Sequence, residues 1–582
     1  MEITCTNFNE HHARIEDVIK NASFIAFDLE FLGLEDEESH RKCSLFDTPQ
    51  ERYEKTLHSV RRFPPAQLGL AFFTELNDGE KYKVDVFTIY LFKTVSFGRD
   101  YSFSVSSLEF LQEHGFDFNK LTRSGVSHYN LDELQRVLNR FHQPNGVEIF
   151  GRDLPQLLHH LQKLIKSEVA RVRRKSTGSE GAEQNSWTCI TIAITQKLNE
   201  MQRAVILYKL HGCTPGTRME INGQLLLVYP EGKADAREDK KSLFEKITRE
   251  LMCASDIVMA IIDAKLPIVG HNSFRDVLYL YEYFVADLPD SLDDFKRALT
   301  GVFQLVIDTK ILAEECKNRL SWHGVMNYRL ESLNAFFDRM SQDSAVPSPI
   351  YEYSEDVEQK FRNPDSASMH EAGVDAVSTG QTFLRLSYLV AMQERESIAF
   401  QPFRTLLYSI RPVSNRLPVP LLGAPYVNLL GAEPPSRNPD AIILEMIAHD
   451  DTAGLGALRR ELRGKFGRWR CDVRKHDDNK IHVATNTDTT YWRVFKYYSM
   501  HPSYRVLSLP TEDSRSTASD SDSSYSTPAR PLSPADMNNR LPLALPQFLL
   551  DLTPVPAVKW WLTACTCIVV TNILSRRNSG LI

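Results

Sequence analysis

Two hydrophobic periods alternate along the 582-residue chain. Ser23 to Phe31 is a short apolar run bounded by polar residues, with two acids near its end, and it predicts a buried strand. Gln67 to Phe73, Val84 to Phe92, Leu266 to Val269 and Phe303 to Ile307 predict further strands. Between the last two the period changes. Val277, Leu280, Tyr281 and Phe284 recur at i, i+3, i+4 and i+7 and predict a helix. A second helix is predicted over Gly373 to Gln393, with Val374, Val377, Leu384 and Tyr388 on one face. Strands followed by helices indicate an α/β class.

Residues 152–250 interrupt this pattern: Ala170 to Lys175 is a basic run, Ser176 to Ser186 is small and polar, and Gln224 to Tyr229 predicts one more strand. They are expected to form an inserted module between the two halves, 1–151 and 251–398, of a discontinuous core. Residues 399–510 open Pro-rich and then mix strand and helix signals, as in Ala441 to Met446 and Leu455 to Phe466, which predicts a small α+β unit. Residues 511–556 contain a stretch dominated by Ser, Thr, Asp and Pro and are expected to be a linker, because such sequence buries too little apolar surface to order itself. Residues 557–575 enclose the one run apolar enough to suggest a transmembrane helix. Its core, 558–574, carries three threonines, an asparagine and Lys559, and is short against the roughly 20 residues a span needs. A buried helix is the alternative. Trp560 and Trp561 suit a membrane interface, and Arg576 and Arg577 flank the far side.

Composition narrows the class. With 42% hydrophobic and 25% charged residues the chain is expected to be globular, neither disordered throughout nor polytopic in a membrane. A net charge of −7 argues against wholesale wrapping of nucleic acid, though not against a basic groove beside an acidic centre. Nine scattered cysteines, with no Cys-x-x-Cys spacing ahead of the apolar tail, indicate free thiols in a reducing cytosolic setting rather than zinc sites. No secretory signal is visible at the amino terminus.

Three acidic elements carry candidate chemistry. Asp28 and Glu30 lie two apart on a predicted strand, so both project from one face. That arrangement suits a metal, or equally a strand end with solvated acids. In Pro267 to Val277 an apolar strand ends at Gly270, turns through His271 and Asn272, and a helix begins near Ser273, placing Asp276 in its first turn. There it could be a ligand or simply favour the helix dipole. In Met369 to Ala376, His370 and Asp375 would not share a face of one helix, so His370 is expected in a loop and Asp375 on the helix that follows. Four carboxylates are hard oxygen ligands suited to Mg²⁺ or Mn²⁺. Two such ions roughly 3.5–4 Å apart hydrolyse phosphodiesters, with a histidine as general base.

Asp-Leu-Glu-Phe-Leu-Gly (28–33), Gly-His-Asn-Ser-Phe-Arg-Asp (270–276) and His-Glu-Ala-Gly-Val-Asp-Ala (370–376) resemble the motifs of the poly(A)-specific ribonuclease family of DEDD exonucleases. Ser44-Leu-Phe-Asp-Thr-Pro, Gln67-Leu-Gly-Leu and Ile307-Asp-Thr-Lys are similar to that family as well. The resemblance implies a ribonuclease H-like mixed-sheet core and a 3′-to-5′ exoribonuclease that releases 5′-nucleotides from single-stranded RNA with a free 3′ end. It also implies two divalent ions, with Asp28 bridging them, Glu30, Asp276 and Asp375 completing the ligand set, and His370 positioning the attacking water. Asp308 lies in a family motif but reads equally as a helix N-cap. The apolar tail resembles the branch that trims the 3′ ends of precursor piRNA. That implies PIWI-loaded RNA, a Tudor-domain scaffold and possible homo-oligomers as partners, and a place on the mitochondrial outer membrane with the catalytic domain facing the cytosol (alternatively the endoplasmic reticulum). A poly(A) deadenylase, or an inactive membrane-bound RNA adaptor, is the competing reading. The family's deadenylase places an arginine- and histidine-named module where residues 152–250 stand, and an RRM-like domain with a cap-reading tryptophan further on. No aromatic ribonucleoprotein signature is present here, and Trp469 and Trp492 are expected to be core residues. The run Arg171 to Lys175 is expected to be a solvated face, with RNA contact the alternative.

Overall fold

The computed structural model describes residues 1–507 other than 36–41, 94, 96–99, 177–187, 231–239, 326, 341–345, 355–369, 393–398, 436–440, 448–454, 468–469 and 478. The elements that build the core are, in chain order, β1 (Glu2–Ile3), β2 (Phe24–Phe31), β3 (Pro65–Leu76), β4 (Lys81–Tyr90), α1 (Val105–Glu113), β5 (Ile268–Gly270), α2 (Phe274–Phe284), β6 (Val306–Asp308), α3 (Thr309–Glu315), α4 (Leu330–Met340), β7 (Ile350–Tyr353) and α5 (Ala372–Ala391). The strands form one sheet in the order β1-β4-β3-β2-β5-β6, with β7 also pairing with β4. β2, β3 and β4 are antiparallel to their neighbours in that trio, whereas β5 and β6 join parallel. The sheet is therefore mixed, as the resemblance implies.

Alternation along β2 explains the layering. Ile25, Phe27 and Leu29 enter one apolar core, which includes Ile257, Val277 and Tyr283. Phe24 and Ala26 enter a second core on the opposite face, with Ala376, Val377 and Phe383 of α5. Each such large apolar side chain contributes roughly 1.5–3 kcal/mol on burial. Asp28 and Glu30 continue the α5-facing side of the strand. Two glycines let the start of α5 lie directly on the sheet. A Cβ at Gly69, the register partner of Asp28, would fall 1.9 Å from the Ala372 carbonyl oxygen, and one at Gly373 would fall 2.2 Å from Thr88 Oγ1.

Residues 154–252 add helices Leu154–Ser176, Glu200–Leu210 and Lys240–Met252, with a three-stranded antiparallel sheet of Ile190–Ala193, Thr217–Asn222 and Leu225–Pro230. Their apolar core also takes in Tyr129, Leu134, Val137 and Phe141, upstream of residue 152. In the basic run, Arg171 pairs with Glu168, and Arg173 and Arg174 donate to the Pro215 and Ala170 carbonyls. Those contacts favour a solvated helix face.

Near the carboxy-terminal end of the described residues, Ile442–Met446, Leu455–Phe466, Cys471–Lys475, Lys480–Thr485, Asp488–Tyr498 and Tyr504–Val506 form a βαββαβ unit. The edge strands of its sheet are Cys471–Lys475 and Tyr504–Val506, flanking Lys480–Thr485 and Ile442–Met446. This is the strand order of an RRM-like sheet. The central strands pair Ile443 with His482, a position without the stacked Phe or Tyr of an RNA-reading sheet. Trp492, expected in the core, is instead 42% exposed on helix Asp488–Tyr498, because Tyr491, Val494 and Tyr498 take the buried face. Trp469 and residues 557–575 lie outside the described residues. Among those described, no helix is long and apolar enough to cross a membrane.

Candidate active site

Asp28 and Glu30 project from the end of β2, and Asp375 stands in the first turn of α5, carried there by the close glycine packing. One ligand oxygen from each of these three carboxylates lies within 4.8 Å of the others. Asp276 approaches from the first turn of α2, close enough to raise the Asp28 pKa by charge repulsion.

Burial, then mutual repulsion, pushes the Asp28 and Glu30 carboxyls well above the ordinary carboxylate range. Desolvation pushes Asp375 up to about 7, with Glu331 and Glu371 adding to it. Asp276 is also pushed up to about 7 by desolvation, against its own and the Leu29 backbone amides and the Arg275 guanidinium, which favour the charged form. No Lys or Arg among the described residues forms an ion pair with Asp28, Glu30 or Asp375. Clustered carboxylates without a cation are costly, and the strain is relieved either by protonation, which the raised pKa values express, or by a bound cation. An all-oxygen, all-anionic donor set of this spacing fits a hard divalent cation. Asp28, Glu30 and Asp375 would hold it, with Asp276 beside them.

The loop before α2 is fixed by Asp308 at the end of β6. Its Oδ1 accepts from the Asn272 amide (3.1 Å) and the Lys310 amide (2.9 Å), and its Oδ2 from the Ser273 amide and hydroxyl (both 2.7 Å). Asp308 is therefore both the N-cap of α3 and the clamp that sets where α2 starts, and hence where Asp276 points. Asn272 is left-handed (φ 56°), a conformation asparagine tolerates, and Lys310 Nζ holds its side chain at 3.1 Å.

His370 sits in the turn before α5, at φ 70°. It is not one of the three clustered ligands. Its imidazole packs edge-to-face on His114, with ring centroids 4.2 Å apart, and lies 5.0 Å from the ring of Phe110. Desolvation, then the neighbouring His114, lowers its pKa from the ordinary histidine value, which keeps it a proton acceptor at neutral pH. The sequence patterns did not single out Gly69, Phe110 or His114. Of the three, only Gly69 had a signal, the Gln67-Leu-Gly-Leu motif.

Residues 3–383 match the CAF1 family of ribonucleases. The pre-piRNA 3′-exonuclease trimmer of Bombyx mori is 27% identical over 521 residues, covering 87% of this chain and 92% of the relative. The poly(A)-specific ribonuclease PNLDC1 of Mus musculus is 25% identical, covering 87% and 93%. The poly(A)-specific ribonuclease PARN of Xenopus laevis is 28% identical, covering 74% and 69%. With the match running from β1 into α5 and so spanning every acid of the cluster, this chain belongs to the CAF1 family of ribonucleases.

Proposed function

We propose that the chain is a divalent-metal-dependent 3′-to-5′ exoribonuclease of the DEDD type that shortens the 3′ ends of single-stranded precursor piRNA. The observation that carries the reading is the convergence of Asp28, Glu30 and Asp375, with Asp276 beside them, at one end of a ribonuclease-family sheet. Two Mg²⁺ or Mn²⁺ ions bound by these acids would supply a water of lowered pKa and stabilise the leaving oxygen of the phosphodiester. His370, lowered in pKa and half-buried in the turn before α5, accepts the proton of the attacking water at a ring nitrogen. Asp308 and Gly69 keep Asp276 and Asp375 in position for that metal-holding role.

Trimming is favoured over deadenylation by length. The chain covers 92% of the Bombyx trimmer but 69% of the Xenopus poly(A)-specific ribonuclease PARN. The finer expectations belong to this proposal: RNA loaded in a PIWI protein, a Tudor-domain scaffold, and attachment through residues 557–575 to the mitochondrial outer membrane. The poly(A)-specific names of two relatives favour deadenylation as the second reading.

The test uses 5′-labelled single-stranded RNAs ending in poly(A) or mixed sequence, with Mg²⁺, Mn²⁺ or EDTA, alongside Asp28→Ala and Asp375→Ala variants. Stepwise shortening of both RNAs, dependent on metal and lost in the variants, is expected. Internal cleavage overturns the exonuclease reading, and equal cutting by the variants overturns the assignment of the catalytic acids. Strict adenosine preference selects the deadenylase. Loss of membrane association on deleting residues 555–582 tests the anchor, and retained association refutes it.

A further inference from the structure

A general base must hold its imidazole in one orientation, and proteins usually do this by tying the second ring nitrogen to a carboxylate or a backbone carbonyl. His370 is oriented differently. Among the described residues neither of its ring nitrogens has a hydrogen-bond partner. The ring is held instead by two others from a distant part of the chain, both borne by α1 and the residue that closes it. His114, the C-cap of α1, meets it nearly perpendicularly (78°) at 4.2 Å, and Phe110, one turn back, lies 5.0 Å away at 69°. Phe110 and His114 also pack on each other at 4.3 Å.

His114 is itself fixed. Its Nδ1 lies 2.7 Å from the Phe110 carbonyl oxygen. A carbonyl can only accept, so Nδ1 carries the proton and the ring is locked in that tautomer and rotamer. Phe110, 41% exposed, and the tethered His114 ring thus form a corner with His370 seated against it. Edge-to-face ring pairs have preferred angles, so such a corner orients a third ring as well as burying it. The left-handed backbone of His370 gives no competing constraint from a regular helix.

We propose that Phe110 and His114 are positioning residues for His370, acting by ring packing and not by a hydrogen bond to its imidazole. The inference rests on the reading of His370 as the base of an RNA-cutting site.

The experiment measures steady-state kcat and KM on single-stranded RNA for wild type and for His370→Ala, His114→Ala, His114→Phe, Phe110→Ala, and the double variants of His114→Ala and Phe110→Ala with His370→Ala, with Tm recorded for each full-length protein. His114→Ala and Phe110→Ala are each expected to lose about tenfold or more in kcat at unchanged KM, a part of the roughly 10²–10⁴-fold that general-base catalysis contributes as a whole. His114→Phe, which keeps a ring, is expected to recover most of the loss. Adding His114→Ala or Phe110→Ala to His370→Ala should cost nothing further, because residues acting through one group are not additive. A raised KM with unchanged kcat would make Phe110 a surface for the terminal base and overturn the positioning role. Additive losses in the double variants, losses that follow Tm alone, or wild-type rates in both alanine variants would overturn it too. If wild type itself leaves RNA intact, or His370→Ala cuts normally, the parent reading fails instead.

Discussion

A single enclosed carboxylate and an enclosed cluster of them in the same core have opposite surroundings. Asp47 is 7% exposed and its carboxylate is met by Arg52 Nε (3.2 Å), Lys55 Nζ (2.6 Å) and the Ser44 amide (2.8 Å). Arg52, itself buried, passes on to the Ser44 and Pro420 carbonyls. At the end of β2, Asp28 is met by Glu30, Asp276 and Asp375, and its carboxyl is driven upward by burial and by those charges. Both sites lie in motifs that resemble the same family. The comparison teaches that a buried acid is structural where the chain supplies its counter-charge, and awaits a ligand where it does not.

Substitutions should separate the two kinds of site sharply. The largest expected effect is Asp28→Asn, which should reduce RNA shortening by roughly 10³-fold or more, as removal of a central catalytic group does. The same variant should raise the Tm of the metal-free protein at neutral pH, since it removes a repelling charge. Asp47→Ala should do the reverse. It should lower stability by about 3–5 kcal/mol, the usual consequence of stranding one side of a buried pair, while protein that remains folded still cuts. Thermal melting and rate assays on both variants check the contrast, and equal signs in Tm would break it.

Gly69→Ala tests how the acid cluster is assembled. The added methyl cannot coexist with the Ala372 carbonyl at 1.9 Å, so α5 must shift. A loss of about 1–3 kcal/mol in stability is expected from such overpacking. A fall in kcat should accompany it as Asp375 moves, and undiminished cutting would show that the close approach does not position the site.

The pH dependence of the metal-free protein sharpens the same point. Asp276 and Asp375 sit near 7 when folded and near the ordinary carboxylate value when unfolded. With folded values raised, the folded state binds more protons than the unfolded one between pH about 4 and 7. Stability from these groups is therefore present at low pH and lost as pH rises through 7. Melting in EDTA should show Tm falling over that window, Mn²⁺ should flatten the fall, and Asp28→Asn should reduce it. The smallest effect is expected for Arg505→Ala in the βαββαβ unit. Its 3.4 Å contact to Glu445 is a solvent-facing pair, and its loss should change stability by less than about 1 kcal/mol in denaturant melts.

Much of the core could be read from residue order alone. The run from Ser23 becomes β2, the i, i+3, i+4, i+7 pattern becomes α2, and the Gly373 pattern becomes α5, because strand and helix periods are local properties of the chain. The shared face of Asp28 and Glu30 and the placement of Asp276 and Asp375 in first turns followed from the same periods. The start of the module's apolar core upstream of residue 152 was not legible, since helix Leu131–His142 is amphipathic in either assignment and only its packing partners decide. The exposure of Trp492 was missed because tryptophan's apolar bulk says nothing about which helix face meets the sheet.

The sequence by itself determined which residues are candidates for the chemistry and on which elements they ride, since both follow from residue type and short-range periodicity. Only the tertiary structure decided that Asp375 lands on β2, that Asp308 holds the loop ahead of Asp276, and that a helix some 260 positions upstream seats His370. Those outcomes depend on close contacts between segments far apart in the chain, such as Gly69 under Ala372 and His114 against His370, and no local pattern encodes a contact whose two halves are separated by hundreds of residues.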